Sequence, residues 1–429
     1  MKKFPLLFII MAFTYPQATG FSIYGVGENI QNSDPASLSL GNSSFFCGNL
    51  KNLSTGSTST LWRSTLTRFT IHSGLNYLKN TKLPAQYQQS LTTFSLFFPI
   101  GNKKVFGLGL QPVYRTNKLE ISDEEYQFIG ADESITGTPI VLKNTYTIDG
   151  GISELFFAYS QKLFQHFSGG IKYAFFFGNQ YLDDELYIYD FAIDTISNGL
   201  LIDEIYEGDD TLYALAENPV VTILNKSRKF SGSTLSMEGR YTTSNNELVI
   251  SASINSKVTV ETHNVLTADG TTYTNSFENS SNAILSNIGF GYHYRFENNS
   301  GFTVEIHKYY PFNIPENAAL FNIMPPEENS IHIGSYYQII NSKHGFWNNL
   351  NLRSGGYLKQ LDFTGNKYFD YGVTFGIGLE YLANTQTFDL ALRIGKRESY
   401  VLQGQDENYI SFHFGITAGE KWFMKRRRK

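Results

Sequence analysis

The connections between strands constrain the fold of this chain more than any other feature of its sequence. About fourteen segments in which apolar and polar residues alternate follow one another along the chain, as expected of strands with one apolar face. Every second connection is short and polar, and the others are long. Outer-membrane barrels keep this parity because their short turns lie in the periplasm and their long loops lie outside. The pattern predicts an all-β fold, a transmembrane antiparallel β-barrel of about fourteen strands.

The alternating segments lie at 66–77, 90–99, 105–116, 152–163, 168–177, 232–242, 246–258, 283–297, 301–310, 331–340, 346–359, 370–382, 386–396 and 408–419. The short connections are 101–104, 164–167, 243–246, 298–300, 341–345 and 383–386, and the long ones are 78–89, 117–151, 178–231, 259–282, 311–330, 360–369 and 397–407. Most segments approach the length of about 9–11 residues that a tilted membrane strand needs. A soluble secreted β-rich protein is the alternative, but it has no reason to keep the parity.

The stretch SNIGFGYHYRF, residues 286–296, illustrates the alternation. Ile288, Phe290 and Tyr292 fall on one face of the strand, whereas His293 and Arg295 fall on the other. In a barrel the apolar face meets lipid and the polar face lines the lumen. The same assignment, made strand by strand, predicts which side chains lie inside.

The lumen-lining residues predicted in this way carry both signs of charge: Arg68, His72, Arg115, Glu154, Glu238, Arg240, His293, Arg295, Glu305, His307, Glu380, Arg393 and His413. Such a lumen can link its own walls by ion pairs or hold a plug. An ion-selective pore would need a ring of one sign, and the pattern contains none. A barrel of fourteen strands is wide enough to leave a channel unless something fills it.

Composition narrows the class of protein further. The mean hydropathy is -0.24 and no stretch after residue 20 approaches eighteen apolar residues, which argues against a helical membrane protein. Residues 1–20 have two lysines, an apolar run and small residues at the end, as a secretory signal peptide does. The formal net charge of -5 gives no reason to expect a nucleic-acid partner.

These features divide the chain into a signal peptide at 1–20, an N-terminal hatch or plug at 21–65, an outer-membrane barrel at 66–419 and a basic periplasmic tail at 420–429. An even number of strands places both termini in the periplasm of a Gram-negative bacterium. We expect a monomer that contacts outer-membrane lipid. We find no nucleophile motif such as Gly-x-Ser-x-Gly and no spacing of metal ligands, so we predict neither enzyme activity, a cofactor nor a metal.

The segment before the first strand resembles a known family. Its YGVG start, its SLG stretch followed by small and aromatic residues, and its STLW element before strand one resemble the N-terminal hatch of the long-chain fatty-acid outer-membrane transporters. The end of the chain, from Glu407 on, resembles relatives of that family in marine and Bacteroidetes-type bacteria. One motif departs, because Arg63-Ser64-Thr65 follows Trp62 where the family has Asn-Pro-Ala, and Asp34-Pro35-Ala36 occurs earlier.

The resemblance implies a mechanism as well as a fold. In the family the hatch plugs the lumen, and a kink in the third strand opens a lateral route for hydrophobic ligands into the membrane. The third strand here contains Gly107, Gly109 and Pro112, and proline cannot donate to the ladder while glycine permits a bend. We therefore expect these residues, with Trp62 and Arg63 of the hatch, to bind ligand or gate the route, although a tolerated bulge fits equally well.

The resulting functional hypothesis is a barrel that takes up hydrophobic compounds such as long-chain fatty acids by passive diffusion. The alternative is an interaction or secretion-associated barrel that binds partner proteins through its long extracellular loops. The longest loop, 178–231, mixes acidic and large apolar residues, and ligand capture, calcium binding, a protein partner and simple packing as a cap all remain open for it.

Overall fold

The fold is a closed antiparallel β-barrel. The computed structural model describes residues 27–30, 34–48, 56–80, 86–129, 138–193, 205–208, 211–215, 220–256, 258–268, 270–281, 284–310, 326–340, 349–363, 366–381, 386–398 and 406–420. The predicted signal peptide and nearly all of the predicted basic tail lie outside the described residues. None of the helices in the described part of the chain is long and apolar enough to cross a bilayer.

The described strands, in chain order, are β1 (Glu28–Asn29), β2 (Thr67–Asn80), β3 (Gln86–Gly101), β4 (Lys104–Ile129), β5 (Thr138–Lys162), β6 (Phe167–Ile193), β7 (Ile205–Gly208), β8 (Thr211–Leu215), β9 (Val220–Thr242), β10 (Asn246–Asn255), β11 (Val258–Ala268), β12 (Thr271–Ser281), β13 (Ser286–Arg295), β14 (Ser300–Tyr310), β15 (Glu327–Ile340), β16 (Asn349–Phe363), β17 (Asn366–Tyr381), β18 (Gln386–Arg397) and β19 (Glu407–Glu420). One short helix, α1 (Pro35–Leu38), and a 3-10 helix (Thr58–Arg63) precede the barrel.

Fourteen of these strands form the ring, which confirms the strand number expected from the alternation. Each strand pairs antiparallel with the next in the order β2, β3, β4, β5, β6, β9, β10, β13, β14, β15, β16, β17, β18 and β19, and β19 pairs with β2 to close the barrel. The remaining strands lie inside the barrel (β1) or above its rim (β7, β8, β11 and β12).

The outer face of the ring is an apolar band. In β13, Ile288 and Phe290 expose about half of their surface, while His293 on the opposite face is 5% exposed. Large apolar side chains are similarly exposed around the whole ring, far more apolar surface than a soluble monomer leaves open to water. Such a band is typical of a barrel whose wall meets lipid.

The two rims of the barrel differ. At the turn end, strands are joined by short connections such as Asn102–Lys103. At the loop end, 117–129, 138–151, 178–193 and 220–231 are strands rather than the loops that the sequence suggested. A run of β4, β5, β6, β9, β11 and β12 thus continues upward as one tall sheet. In it β6 reaches about 90 Å of extended chain, compared with about 36 Å for β14. Backbone pairing with neighbouring strands sustains these segments, in which acidic and large apolar residues are mixed.

The tall sheet bends where it leaves the barrel. The pairing of β4 with β5 shifts register between Pro112 and Tyr114 and again after Thr116. At the same level Gly150 and Gly178 have φ of +120° and +154°, a backbone conformation that only glycine adopts without strain. Pro112 and these two glycines therefore mark an irregular level of the sheet.

Candidate functional site

The hatch sits in the lumen on the turn-end side, where charged side chains of the wall bind it. The structure places the predicted lumen residues on the inner face, ten of them buried and three, Arg115, Arg295 and Arg393, partly exposed. Most of the buried ones contact the hatch or one another rather than an open channel. Two glutamates provide the main anchors.

Glu305 of β14 holds the first turn of the hatch. Its carboxylate accepts hydrogen bonds from the backbone N–H groups of Ser44 at 2.7 Å and Phe45 at 3.0 Å, and from the hydroxyl of Ser43. His307 Nε2 lies 3.2 Å from the same carboxylate. Glu305 is 1% exposed, and charge-assisted bonds of this kind are about twice as strong as neutral ones.

Glu238 of β9 holds the second turn in the same way. It accepts hydrogen bonds from the Ser57 hydroxyl at 2.6 Å, the Thr58 backbone N–H at 2.9 Å and the Ser59 hydroxyl. Arg240, two residues along the strand, donates to the Ser57 and Ser59 hydroxyls at 2.8 and 2.9 Å. Two serine-containing turns of the hatch are thus each bound by a buried carboxylate, one by Glu305 and the other by Glu238.

Glu247 of β10 connects these anchors to the predicted hatch residue Arg63. Its carboxylate lies 2.6 Å from Arg240 Nη1, 3.1 Å from Arg63 Nη2 and 3.7 Å from Arg295 Nη2. Burial lowers the pKa of the Arg63 guanidinium below its ordinary value, and the carboxylate of Glu247 opposes this shift. Sequence alternation placed Glu247 on a strand but did not single it out, because its importance comes from the three arginines that converge on it.

The opposite wall binds the remainder of the hatch. Arg353 donates from Nε to the Cys47 carbonyl at 3.0 Å and from Nη1 to Asp389 at 2.7 Å. Thr374 accepts the Gly41 N–H at 2.8 Å and donates to the Ser39 carbonyl at 3.0 Å. These bonds satisfy backbone groups of an irregular segment that would otherwise be buried without partners.

Glycines on the inner face make the space for this irregular segment. A Cβ at Gly355 would overlap the backbone of Gly41, and one at Gly376 would overlap the Ser39 side chain. A Cβ at Gly291 would lie 2.6 Å from the Phe45 ring. The signal was present in the sequence, where glycines recur on the polar face of strands 13 and 17, but the hatch must be in place before their role is evident.

The earlier part of the hatch is also ordered by its own residues. Asp34 caps α1 by accepting the Ala36 N–H and the Ser37 hydroxyl, both at 3.1 Å, and Pro35 occupies the first turn, as proline favours. The Asp-Pro-Ala that departed from the family pattern is therefore a helix start. His72 lies 4.0 Å from the Asp34 carboxylate.

The other predicted residues do not converge on one reaction centre. Arg68 donates to Ser64, Glu380 accepts from Asn349, and Arg393 lies over the Tyr409 ring, while His413 packs its ring above Gly74. His293 bonds Tyr336 at 2.9 Å. Within the described ranges, no group of three or more His, Cys, Asp or Glu is placed to hold a metal ion.

The cavity beside the hatch is small, and its lining combines polar residues with apolar ones such as Pro112 and Val113. It has a volume of about 120 Å³, and the polar residues that line it include Thr58, Gln111, Glu154, Lys172 and His307. Glu154 accepts hydrogen bonds from Lys172 at 2.8 Å and Gln111 at 2.7 Å. This volume is below the range of about 300–1,000 Å³ that is usual for ligand pockets.

The wall is interrupted between β3 and β4. Their pairing extends from the turn end only as far as Phe94 and Leu110. Above that point β3 pairs with β2 and β4 pairs with β5. The edge of β4 that faces the interruption pairs instead with the hatch strand β1, in the register Glu28 with Arg115 and Asn29 with Tyr114, so the chain's own N-terminal part occupies the interruption.

Of the three residues predicted to form the kink, only Pro112 lies at this interruption. Gly107 and Gly109 lie below it in regularly paired β4. A Cβ there would lie 2.6 Å from the Phe97 ring and 2.5 Å from the Phe156 ring, so these glycines make room for aromatic side chains in the lumen. The hatch residue Trp62 lies near the turn end, where its backbone N–H donates to the Ser160 hydroxyl and the Lys162 ammonium lies over its ring.

An apolar cluster adjoins the interruption on the loop-end side of the hatch. Val113 and Tyr114 of the bent β4 are buried there together with Ile152, Phe176, Phe230, Val258, Val260 and Ile284. The lumen thus has a polar, hatch-filled half and an apolar half, and the interrupted wall lies beside the apolar one.

Several solved structures have the same architecture. A FadL homologue from Pseudomonas aeruginosa is 10% identical with a TM-score of 0.55, over 92% of this chain and 99% of that one. The deltaS2S3 mutant of the TodX monoaromatic hydrocarbon channel is 13% identical with a TM-score of 0.53, over 93% and 100%. The toluene transporter TbuX from Ralstonia pickettii is 11% identical with a TM-score of 0.50, over 93% and 100%. At these identities the likeness shows the fold alone.

The sequence itself matches one family model, described as BamG, over residues 1–429. The comparison with curated protein sequences finds no match.

Proposed function

The chain therefore belongs to the BamG family, and we propose that it is a Gram-negative outer-membrane barrel for passive uptake of hydrophobic compounds, long-chain fatty acids among them. The carrying observation is the interrupted wall between β3 and β4, occupied by β1 and adjoining the apolar cluster. The solved barrels named above include channels for toluene and other monoaromatic hydrocarbons, which supports a hydrophobic substrate.

The polar half of the lumen makes the lateral route the preferred one. Glu305 and Glu238 fix the hatch across the turn end, and the cavity beside it is small. An acyl chain gains about 0.8 kcal/mol per methylene in lipid relative to water. A ligand that reaches the apolar cluster past Val113 is therefore expected to leave through the wall into the membrane once β1 separates from β4.

A reversible cross-link tests this route. The pair Glu28→Cys and Arg115→Cys joins β1 to β4 at directly paired positions, and the native Cys47 is buried. Oxidation is expected to slow uptake of labelled oleate and of toluene into liposomes, and reduction to restore it. The matched control, Ser335→Cys with Ser354→Cys, joins β15 to β16 on the outer face, where the two hydroxyls lie 3.0 Å apart, and is expected to leave uptake unchanged. Equal uptake by the oxidised and reduced first pair would exclude a β1 gate.

A second candidate function is binding of a partner protein. It is favoured by the tall sheet of β4, β5, β6, β9, β11 and β12, which rises above the loop-end rim, and by a hatch that buried charges hold in place. If the folded protein transports neither oleate nor toluene in liposomes, this result would favour partner binding over transport.

A further inference from the structure

The tall sheet ends in a strand with a free edge. β12 pairs with β11 along its whole length, from Thr271 opposite Ala268 to Ser281 opposite Val258. No other strand pairs with β12 in the part of the chain that the structure describes. The first six residues of β12, 271–276, are exposed, so this edge offers its backbone groups to solvent.

The edge lacks the devices that normally protect such strands. Proteins block exposed edges with charges, proline, bulges or short strands. β12 is 11 residues long, has no lysine or proline and one charged residue, Glu278, and its pairing with β11 has no register shift. At the other edge of the same sheet, residues 117–129 include five charged residues, and the pairing shifts after Thr116. One edge of the sheet is protected and the other is not.

The hairpin geometry identifies the backbone groups on offer. A two-residue turn with Gly270 at φ +72° joins the closing pair Ala268 and Thr271. Hydrogen-bonded and non-hydrogen-bonded pairs alternate from such a turn. The N–H and C=O groups of Thr272, Thr274 and Ser276 therefore point to the free edge, as do those of Glu278.

Side chains beside the edge indicate the chemistry of what binds. A groove of about 530 Å³ on the outer face of β6, β9, β11 and β12 is lined by residues that include Tyr181, Lys229, Glu261 and Glu278. Glu261 and Glu278 lie directly opposite each other, and Lys229 pairs with Glu261 at 3.2 Å. Like charges in this position are unfavourable. Arg228 also lines the groove, but its guanidinium donates to Gln180 at 2.9 Å, so among the described residues Glu278 is the groove carboxylate that no basic side chain pairs. On the other face of β12, Tyr273 is 60% exposed.

We infer that β12 is a docking edge for an extended segment of another protein. The segment adds as a strand to the backbone of Thr272–Glu278, places a lysine or arginine in the groove beside Glu278, and packs an apolar side chain on Tyr273. Main-chain bonds supply affinity and the alternate side chains supply specificity, as in other strand additions. The inference rests on the second candidate function, and it adds the location and chemistry of the partner.

The test uses the full-length protein in detergent and a labelled peptide of about nine residues, a usual strand length. Valine and threonine alternate in this peptide, and lysine replaces threonine at two central positions. A second peptide carries glutamate instead. Fluorescence anisotropy is expected to show saturable binding of the lysine peptide and about threefold weaker binding of the glutamate peptide, the effect of one cross-strand charge pair. Glu278→Lys is expected to reverse that preference.

Thr274→Pro separates edge binding from other contacts. It removes one edge N–H without removing a bond to β11, and it is expected to weaken the lysine peptide at least about tenfold, whereas the matched Thr274→Val keeps the N–H and the affinity. Heat-modifiable migration on gels checks that each variant is folded. Absent binding to wild type, or equal binding to the proline and valine variants, would overturn the inference, and dimerisation that Thr274→Pro abolishes would replace the partner by a second copy. Oleate uptake by the same variants should equal that of wild type. A failure of the transport proposal therefore does not affect the outcome of the peptide-binding test.

Discussion

Two parts of the barrel wall contact the hatch in different ways. From β14 to β17 the strands pair without interruption, and the hatch rests on their inner face through Glu305, Thr374 and the space above Gly355. Between β3 and β4 the pairing stops at Leu110, and the hatch enters the wall itself as β1. The hatch therefore packs against the inner face of one wall and pairs as a strand within the other.

The difference lies in what the inner faces carry. The continuous wall presents glycines and hydrogen-bonding side chains, which accept irregular backbone. The interrupted wall presents Phe97 and Phe156 above Gly107 and Gly109, followed by Pro112, which has no N–H to offer a neighbour. Hydrogen bonds from polar side chains hold the hatch on the continuous wall. On the interrupted wall, the absence of β3–β4 pairing above Leu110 leaves an edge of β4 with which β1 pairs. Four experiments can sharpen or break this comparison.

The largest effect is expected for the anchor Glu305. Glu305→Ala leaves the Ser44 and Phe45 N–H groups buried without their acceptor and should lower the free energy of unfolding by about 3–5 kcal/mol, measured by denaturant titration in detergent. Glu261→Ala, which removes a carboxylate from an exposed ion pair, is the control and should cost under about 1 kcal/mol. Similar losses in the two variants would mean that the hatch is not held by Glu305.

The next effect compares neighbouring positions on the continuous wall. Phe375→Arg puts a charge on the outer face and should cost about 2–4 kcal/mol if this position lies near the bilayer midplane. Alternation alone makes Thr374→Arg mild, because it faces the lumen, but Thr374 is fully buried under Ser39 and Gly41. We expect Thr374→Arg to be at least as damaging as Phe375→Arg. A well-tolerated arginine at 374 would show that the hatch yields easily.

A smaller effect is expected from a single methyl group. Gly355→Ala should cost about 1–3 kcal/mol by overpacking, because its Cβ meets Gly41, and it should make the hatch more accessible to protease. The control is the adjacent Gly356→Ala, whose Cβ would come no closer than 3.4 Å to the Gly372 carbonyl. If both variants unfold at the same denaturant concentration, the glycines do not seat the hatch.

The smallest change in stability is expected at the interrupted wall. Pro112→Val restores an N–H that can pair with β3 and should alter stability by under about 1 kcal/mol, while slowing oleate uptake at equal surface expression. Pro99→Val, at the turn end of β3 where the register also shifts, should leave uptake unchanged. Wild-type uptake by Pro112→Val would make this proline a tolerated irregularity.

The sequence by itself determined the barrel, because the inward and outward alternation of a strand is local and survives in any single segment. The count of alternating segments gave the strand number, and the parity of short and long connections made it even. The tall sheet was not predicted, because its strands lie in long connections where large apolar residues are mixed with acidic ones, as in 178–193, and backbone pairing with their neighbours holds them.

Only the tertiary structure decided where the hatch lies and where the wall is interrupted. Ser43 bonds Glu305 across 262 positions in the chain, and Gly355 became informative only once Gly41 was found above it. The same holds for Gly107 and Gly109, which the sequence grouped with Pro112 and which serve Phe97 and Phe156 instead. Alternation predicts which face of the wall a side chain lies on. The contacts of that side chain depend on the segment that fills the lumen, and a local sequence pattern does not determine contacts between residues so far apart in the chain.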